Sequence, residues 1–247
     1  MMKLLSVSTV FLFLGGLWLC GAALAAGFEE DVFRTSAGEV TITFLGHGTL
    51  MVSFGGRVIH VDPYSKVADY SALPKADAVL ITHEHQDHLD NEALKHIVTD
   101  ETDIVLNRKS AAALGKGRII GNGESKKVLG IKVEAVPAYN IVHKRDNGQP
   151  FHPKGEHNGY VLNFGDTRIY VAGDTENIPE MKELQDITIA FLPMNLPYTM
   201  TPEMAADAAL SFRPKILYPY HYGQTDPEKL VDLLKDSGIE VRVRKMS

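Results

Sequence analysis

Residues 83–88 read His-Glu-His-Gln-Asp-His and directly follow a short apolar run at residues 78–82. The run is typical of a buried strand. Neutral imidazole and carboxylate are the usual zinc ligands where cysteine is absent. In an extended loop His83 and His85 lie on the same side, and Asp87 and His88 follow closely enough to turn toward a second ion. A helical His-Glu-x-x-His site is excluded because residue 87 is Asp. The segment therefore predicts a metal site at a strand end.

The chain has one cysteine, Cys20, which lies in an N-terminal segment with the character of a signal peptide. An apolar run at residues 4–19 is followed by small residues at positions 23 and 25, the −3 and −1 positions of a cleavage site. We expect residues 1–25 to be a signal peptide and the protein to be periplasmic or secreted. An uncleaved anchor or a lipoprotein signal at Cys20 are the alternatives. The mature chain would have no thiolate ligand.

The remaining sequence, residues 26–247, has no Pro/Ser-rich linker, so we expect a single domain. A formal net charge of −6 argues against a broad basic face, and nucleic acid is not an expected partner. Strand-like runs come first in hairpins and later alternate with helices, which predicts an α/β (α+β) fold of sheets covered by helices.

The individual elements follow from periodicity and turn residues. Strands are predicted at residues 40–45, 50–54, 57–61, 78–82, 104–106, 118–120, 128–136, 160–164, 168–172, 187–192, 216–220 and 241–243. Helices are predicted at residues 91–98, capped by Asp90, and at residues 109–114, 202–212 and 227–235. Residues 139–158 are polar and rich in Gly, Pro and His, and we expect them to form a long functional loop.

Several segments, taken in order, resemble the metallo-β-lactamase superfamily. Its signature is the His-x-His-x-Asp-His pattern of residues 83–88. Residues 45–49 and 61–63 resemble the N-terminal pattern of its lactonase-like and phospholipase-D-like hydrolases. These include the L-ascorbate-6-phosphate lactonase and N-acyl-phosphatidylethanolamine phospholipase D groups. Residues 172–175 resemble the segment with a bridging aspartate, and residues 219–223 the segment with the last histidine.

The resemblance implies an αββα sandwich with a dinuclear site at one edge of its two sheets. The implied cofactors are two divalent metal ions, zinc first, with manganese or iron as alternatives. The implied ligands are His83 and His85 for the first metal, Asp87, His88 and His221 for the second, and Asp174 for both. Asp62 would orient a ligand through a hydrogen bond. Simpler roles stay open for Asp174 as a helix cap, for His221 as a satisfied surface histidine and for Asp62 as a turn residue. His47 is interpreted as structural, outside the ligand set.

The third histidine that the family places on the first metal has no counterpart here. The matching position is Asn140 or Tyr139, and an amide oxygen is a weak zinc ligand compared with imidazole. His152 is the first choice as a replacement, because residues 151–155 read as a shaped segment. His157 is the second choice, and His143 lies nearby. Without a replacement the first site would be weak.

The implied chemistry is hydrolysis by a metal-bound hydroxide, with Asp87 or Asp174 as the catalytic proton acceptor. The aspartate at position 174 resembles ester, lactone and phosphodiester hydrolases of small molecules. Export suits the alternative, a periplasmic β-lactamase, and the missing histidine motivates a second alternative, a catalytically degenerate metal-binding protein. Lys144, Arg145 and Lys154 are candidates for binding an anionic substrate group. Once the signal is cleaved, no stable membrane insertion is expected.

Overall fold

The computed structural model describes residues 27–247, so the expected signal peptide lies outside the described residues. Two seven-stranded sheets form the centre of this part of the chain. The first sheet contains β1 Glu29–Thr35, β2 Gly38–Gly46, β3 Thr49–Phe54, β4 Arg57–Val61, β5 Ala78–Ile81, β6 Asp103–Leu106 and β7 Arg118–Ile119, in that spatial order. Strands β1 to β4 pair antiparallel, and β4 to β7 pair parallel.

The second sheet repeats this arrangement of hairpins followed by parallel strands. It contains β8 Ser125–Val128, β9 Ile131–Ala138, β10 His157–Phe164, β11 Thr167–Val171, β12 Ile189–Pro193, β13 Ile216–Tyr220 and β14 Glu240–Val241. Strands β8 to β11 pair antiparallel, and β11 to β14 pair parallel. Each parallel half therefore ends its strands at one common edge, where loops follow the carboxyl ends.

Helices cover both outer faces of the sheet pair. They are α1 Asn91–Ile97, α2 Arg108–Leu114, α3 Pro202–Phe212 and α4 Glu228–Leu234, together with a 3-10 helix at Pro179–Glu183. One apolar cluster fills the space between the sheets and includes Val52 and Phe191. Their neighbours Met51 and Leu192 point the other way, into clusters that α1 and α3 cover. The layers are helix, sheet, sheet, helix, which confirms the αββα sandwich.

Apart from shifts at the ends of elements, such as the start of β10 at His157 inside the predicted 139–158 loop, the structure differs from the predicted elements at three places. The run at residues 128–136 is two strands, because Leu129 and Gly130 both adopt positive φ (48° and 93°) and turn the chain into a hairpin. Strand β1 was not predicted, because its residues are mostly polar and partly exposed at a sheet edge. The 3-10 helix was also not predicted.

Within residues 27–247, no helix combines the length and the apolar character needed to cross a membrane.

Candidate metal centre

The clustered histidines and aspartates lie just beyond the ends of strands from both sheets. His47 follows β2, His83 follows β5 after Thr82, Asp174 follows β11, and His221 follows β13. Four chain segments that are distant in sequence therefore meet at one edge of the sandwich. The family resemblance implied a metal site at this edge.

Three groups of side chains bring their nitrogen or oxygen atoms within 4.8 Å of one another. The groups are His83, His85 and His152; His47, Asp87 and His221; and His83, His88 and Asp174. Within the first group, His83 Nε2 and His85 Nδ1 are 3.1 Å apart. All six residues that the sequence predicted as ligands belong to these groups.

The Asp174 carboxylate lies between the group of His83, His85 and His152 and the group of His47, Asp87 and His221. Its Oδ2 is 3.3 Å from His152 Nε2 and 3.9 Å from His83 Nε2. Its Oδ1 is 3.5 Å from His88 Nε2 and 3.6 Å from His221 Nε2. One buried carboxylate thus faces both halves of the cluster, which is the arrangement that a bridging ligand needs.

Asp87 faces the second half of the cluster from the solvent side. Its Oδ2 is 3.0 Å from His47 Nε2 and 3.5 Å from His221 Nε2. The side chain is 34% exposed, compared with 5% for Asp174. Asp87 is therefore the more accessible of the two aspartates to water and substrate.

Oxygen atoms behind the cluster fix the tautomers of two histidines. His88 Nδ1 donates to Asp62 Oδ2 at 2.8 Å, and Thr82 donates to both oxygens of the same carboxylate, from N at 2.7 Å and from Oγ1 at 2.6 Å. Because the Thr82 hydroxyl hydrogen is used there, its oxygen accepts from His83 Nδ1 at 3.0 Å. Both histidines therefore turn Nε2 toward the cluster, where a metal ion would bind in place of the Nε2 hydrogen that a charged His88 carries.

His152 is the one histidine of the 139–158 loop that reaches Asp174. Its Nδ1 and backbone N both donate to Asn140 Oδ1, at 2.6 and 2.9 Å. The amide oxygen of Asn140 is used in these bonds, so the geometry favours His152 over Asn140 as the replacement ligand. His143 turns instead to Glu176, and His157 Nε2 lies 3.2 Å from Glu84 Oε2.

His47 contacts the cluster more closely than the sequence interpretation allowed. Its ring centroid is 3.8 Å from that of His221, and its carbonyl oxygen accepts from His221 N at 2.9 Å. The available signal was the Gly46-His47-Gly48 turn itself. A Cβ on Gly48 would lie 3.0 Å from the rings of both His88 and His221, so only glycine lets the turn approach them.

The donor set and its unsatisfied atoms fit divalent metal ions. His88 Nε2, His221 Nε2 and Asp174 Oδ1 are buried without a hydrogen-bond partner. Such atoms are costly to bury unless a partner satisfies them, and a cation among them would do so. Imidazole and carboxylate ligands suit zinc, iron and manganese.

The electrostatics favour a cation at the same place. Burial lowers the pKa of His83 well below its usual range and that of His85 to about 4, so both are neutral ligands. Burial also opposes charge on His88, but Asp174 and Asp62 outweigh it and raise its pKa to about 10. Burial opposes ionisation of Asp87 and Asp174 as well, but the facing histidines hold the pKa of both carboxyls well below the usual range. The carboxylates thus bring an excess of negative charge, which divalent ions would neutralise.

Cavity size does not mark this site. A cavity of about 620 Å³ beside the 3-10 helix is lined by Glu134, Arg168 and Tyr170, among others, and contains none of the clustered residues. The site is marked instead by its convergent ligand atoms and its buried atoms without hydrogen-bond partners.

Comparison with known proteins matches residues 41–221 to the beta-lactamase superfamily domain. A metal-dependent hydrolase of Methanopyrus kandleri is 30% identical, over 82% of this chain and 94% of that protein. A crystal structure from Parabacteroides distasonis, of a protein assigned as a metal-dependent hydrolase, superposes with a TM-score of 0.86 at 53% identity and covers 89% of this chain and 100% of that one. The structure of a metallo hydrolase from Ignicoccus hospitalis gives a TM-score of 0.70 at 26% identity, with coverage of 84% and 96%.

Proposed function

Because this chain belongs to the metallo-β-lactamase superfamily and is a metal-dependent hydrolase, we propose that it cleaves an ester, lactone or phosphodiester bond in a small molecule. The observation that carries the proposal is the position of Asp174, whose two oxygens face two separate groups of histidines. A shared carboxylate between two ligand sets supports a pair of metal ions acting on one substrate.

In this proposal the ligands form two metal sites that have one aspartate in common. His83, His85 and His152 would hold the first ion, and the second would be held by His88, Asp87 and His221, with Asp174 common to both. Zinc is the first expectation for this nitrogen-rich set, with manganese and iron as alternatives. In this proposal His152 takes the place of the third histidine that the family has and this chain lacks, which supports an active rather than a degenerate centre.

Metal ions bound there would lower the pKa of a water molecule and polarise the bond to be cleaved. The protein's own residues do the remaining work. Asp62 and Asn140 hold the rings of His88 and His152 with Nε2 toward the cluster. The Asp87 carboxylate, partly open to solvent, would accept the proton released as water attacks and pass it to the leaving group. Asp174 is buried, and we assign it mainly to holding the ions.

The rim of the site supports a substrate with an apolar group. Ile141, Val142, Leu196 and Tyr198 are 47%, 66%, 41% and 44% exposed, although all are large apolar or aromatic residues. Asn140 Nδ2 donates to Tyr198 O at 2.9 Å, which ties this rim to the residue that holds His152. Apolar side chains pinned beside a reactive centre favour a carboxylic ester or lactone with an acyl or aryl substituent.

Two of the three basic residues predicted to bind an anionic substrate group, Lys144 and Arg145, are exposed and remain available for that role. Lys154 is engaged with Glu180 Oε1 at 2.7 Å, but the Arg145 guanidinium lies 5.0 Å from the Phe151 ring, open to solvent. Lys144 is also exposed. An apolar ester that carries a carboxylate or phosphate would satisfy both features.

The test is metal analysis of the purified protein together with a hydrolysis panel. The panel contains nitrophenyl esters of two to eight acyl carbons, a γ-lactone, bis-nitrophenyl phosphate and a chromogenic β-lactam. We expect about two metals per chain and ester or lactone turnover that a chelator abolishes and added metal restores. Turnover of the β-lactam alone would reassign the protein as a β-lactamase, and metal without any turnover would favour a binding role.

The site of action is a separate proposal. The N-terminal sequence supports export, and we propose a periplasmic or secreted protein with residues 1–25 removed. N-terminal sequencing of the protein recovered from a cell fractionation would test this, and full-length protein in the cytoplasmic fraction would contradict it.

A further inference from the structure

Glu176 is a buried carboxylate that lies two residues after Asp174 and touches no metal-binding atom. Its side chain has no exposed surface. The backbone N of Glu176 donates to Tyr139 O at 3.0 Å, and Tyr139 N donates to Thr175 Oγ1 at 3.1 Å. The turn that carries Asp174 is thereby joined to the start of the 139–158 loop.

Five hydrogen bonds converge on this one carboxylate. Oε2 accepts from the backbone N of Ile141 at 2.7 Å and of Val142 at 2.6 Å. Oε1 accepts from N and Nδ1 of His143, both at 2.7 Å, and from Asn140 Nδ2 at 3.1 Å. Three successive N–H groups on one anion form a nest, which fixes a backbone conformation outside any helix or strand.

The bond to Asn140 extends this order to the candidate metal centre. Asn140 Nδ2 is fully used, because it donates to Glu176 Oε1 and to Tyr198 O. The amide oxygen must therefore point the other way, where it accepts from His152 Nδ1 at 2.6 Å. A hydrogen on Nδ1 leaves the Nε2 lone pair free, 3.3 Å from Asp174 Oδ2.

We propose that Glu176 is a positioning residue for the first metal site, acting through the Asn140 amide on the orientation and tautomer of His152. The assignment rests on the proposed function, since it presupposes that His152 is a ligand. It explains why the replacement histidine works from a long loop: a buried carboxylate, rather than a strand, holds the loop in place.

The experiment compares zinc binding of four variants of the full chain by titration against a competing chromogenic chelator, with elemental analysis of metal content. Glu176→Gln keeps the volume of the side chain but brings an amide NH₂ toward groups that are themselves donors. We expect zinc affinity at one of the two sites to fall about 10- to 100-fold, with the other site unchanged. Glu180→Gln is the matched control, because Glu180 binds Tyr139 Oη and Lys154 but not Asn140.

The His152→Ala background separates positioning from general support of the fold. If Glu176 acts through His152, adding Glu176→Gln to His152→Ala changes zinc affinity less than twofold. Should Glu176→Gln fail to fold, Asn140→Leu breaks the same link without touching the nest, and we expect the same loss of one site. Unchanged zinc affinity in a folded Glu176→Gln, or an equal loss in the His152→Ala background, overturns the assignment. A wild-type protein that binds none of zinc, manganese and iron overturns the proposed function itself, and this inference with it.

Discussion

Three residues at the candidate metal centre adopt a left-handed backbone conformation that costs a non-glycine residue free energy. The φ angle is 53° at His47, 47° at Asp62 and 47° at His221. Such conformations cost roughly 1–3 kcal/mol each and persist where surrounding contacts enforce them. Here His221 N donates to His47 O, and Asp62 N donates to Leu80 O at 3.0 Å. This conformation turns His47 and His221 from strand ends into the cluster and places Asp62 behind it, against His88.

Gly48 gives the first prediction at the residue scale. A Cβ at this position would lie 3.0 Å from both His88 Cε1 and His221 Cδ2, closer than ordinary van der Waals contact. Gly48→Ala should therefore push the two rings apart and remove about one metal per chain, measured by elemental analysis. Gly121→Ala is the control, because its Cβ would meet nothing nearer than 3.9 Å. Equal metal content in the two variants would show that the close approach is not required.

The three loop histidines give a second prediction. His152→Ala should remove about one metal per chain, because His152 Nε2 faces Asp174. His143→Ala should keep both metals, because its Nδ1 is bound to Glu176 at 2.7 Å, away from the cluster. Titration with zinc measures the difference. Equal or reversed losses would contradict the choice of His152 as the replacement ligand.

Sequence reasoning found the residue types of the centre but not every neighbour. The motif at residues 83–88 is contiguous, so its chemistry is legible in the sequence. His47 was left outside the ligand set because its approach to His221 depends on a turn geometry that glycine permits but does not specify. The link from Glu176 through Asn140 to His152 joins residues far apart in the chain, and no local pattern shows it.

At the scale of elements, predictions succeeded where local pattern and packing agree. Helix α1 starts after Asp90, whose side chain accepts from Glu92 N as the capping prediction required. Strand β4 has the predicted bounds, because an apolar run between turn residues decides both ends. Strand β1 was missed because it is stabilised by contacts with the C-terminal segment, which its own polar sequence does not reveal.

The contact between β1 and the C-terminal segment gives a pH-dependent prediction. Arg244 Nη2 donates to both oxygens of Asp31 at 2.8 Å. Burial opposes ionisation of Asp31, but hydrogen bonds from Arg244 and Tyr218 outweigh it and hold its pKa below the usual 3.8. A carboxyl whose pKa is lower in the folded state stabilises the protein at pH values above its unfolded-state pKa. That contribution is lost as the pH falls through the folded-state pKa.

Asp31→Asn should thus lower the free energy of unfolding by about 1–3 kcal/mol at pH 7. The difference from wild type should shrink below about pH 4, where the wild-type carboxyl loses its charge. Urea unfolding at several pH values measures this. Glu240→Gln is the control, since Glu240 also binds an arginine, Arg242, but is 57% exposed and should contribute about 0–1 kcal/mol. A pH-independent effect of Asp31→Asn would contradict the charge argument.

At the scale of the whole molecule, the core and the metal centre are separate sources of stability. The cluster between the sheets is built from apolar residues of both of them, such as Val52, Leu162 and Phe191, whereas the proposed ligands lie beyond the strand ends. The outer clusters are likewise built from apolar side chains under the helices. Hydrophobic burial on this scale holds a domain of this size without metal. Metal should therefore add stability to a fold that is already formed.

Metal removal tests that separation. Zinc at about 100 times its dissociation constant should add about 2.7 kcal/mol per site to the free energy of unfolding, which raises Tm by roughly 5–11 °C for each site filled. A chelator should reverse the shift and leave the far-ultraviolet circular dichroism spectrum unchanged; unfolding on chelation would show that the centre supports the fold.

Asp87→Ala should keep the wild-type circular dichroism spectrum and lose about one metal per chain, because Asp87 is the more exposed of the two proposed aspartate ligands, with 34% of its side chain accessible. His88→Ala should lose the same metal but also some stability, because Asp62 then lies fully buried without its imidazole. Full metal content in both variants would refute the ligand assignment.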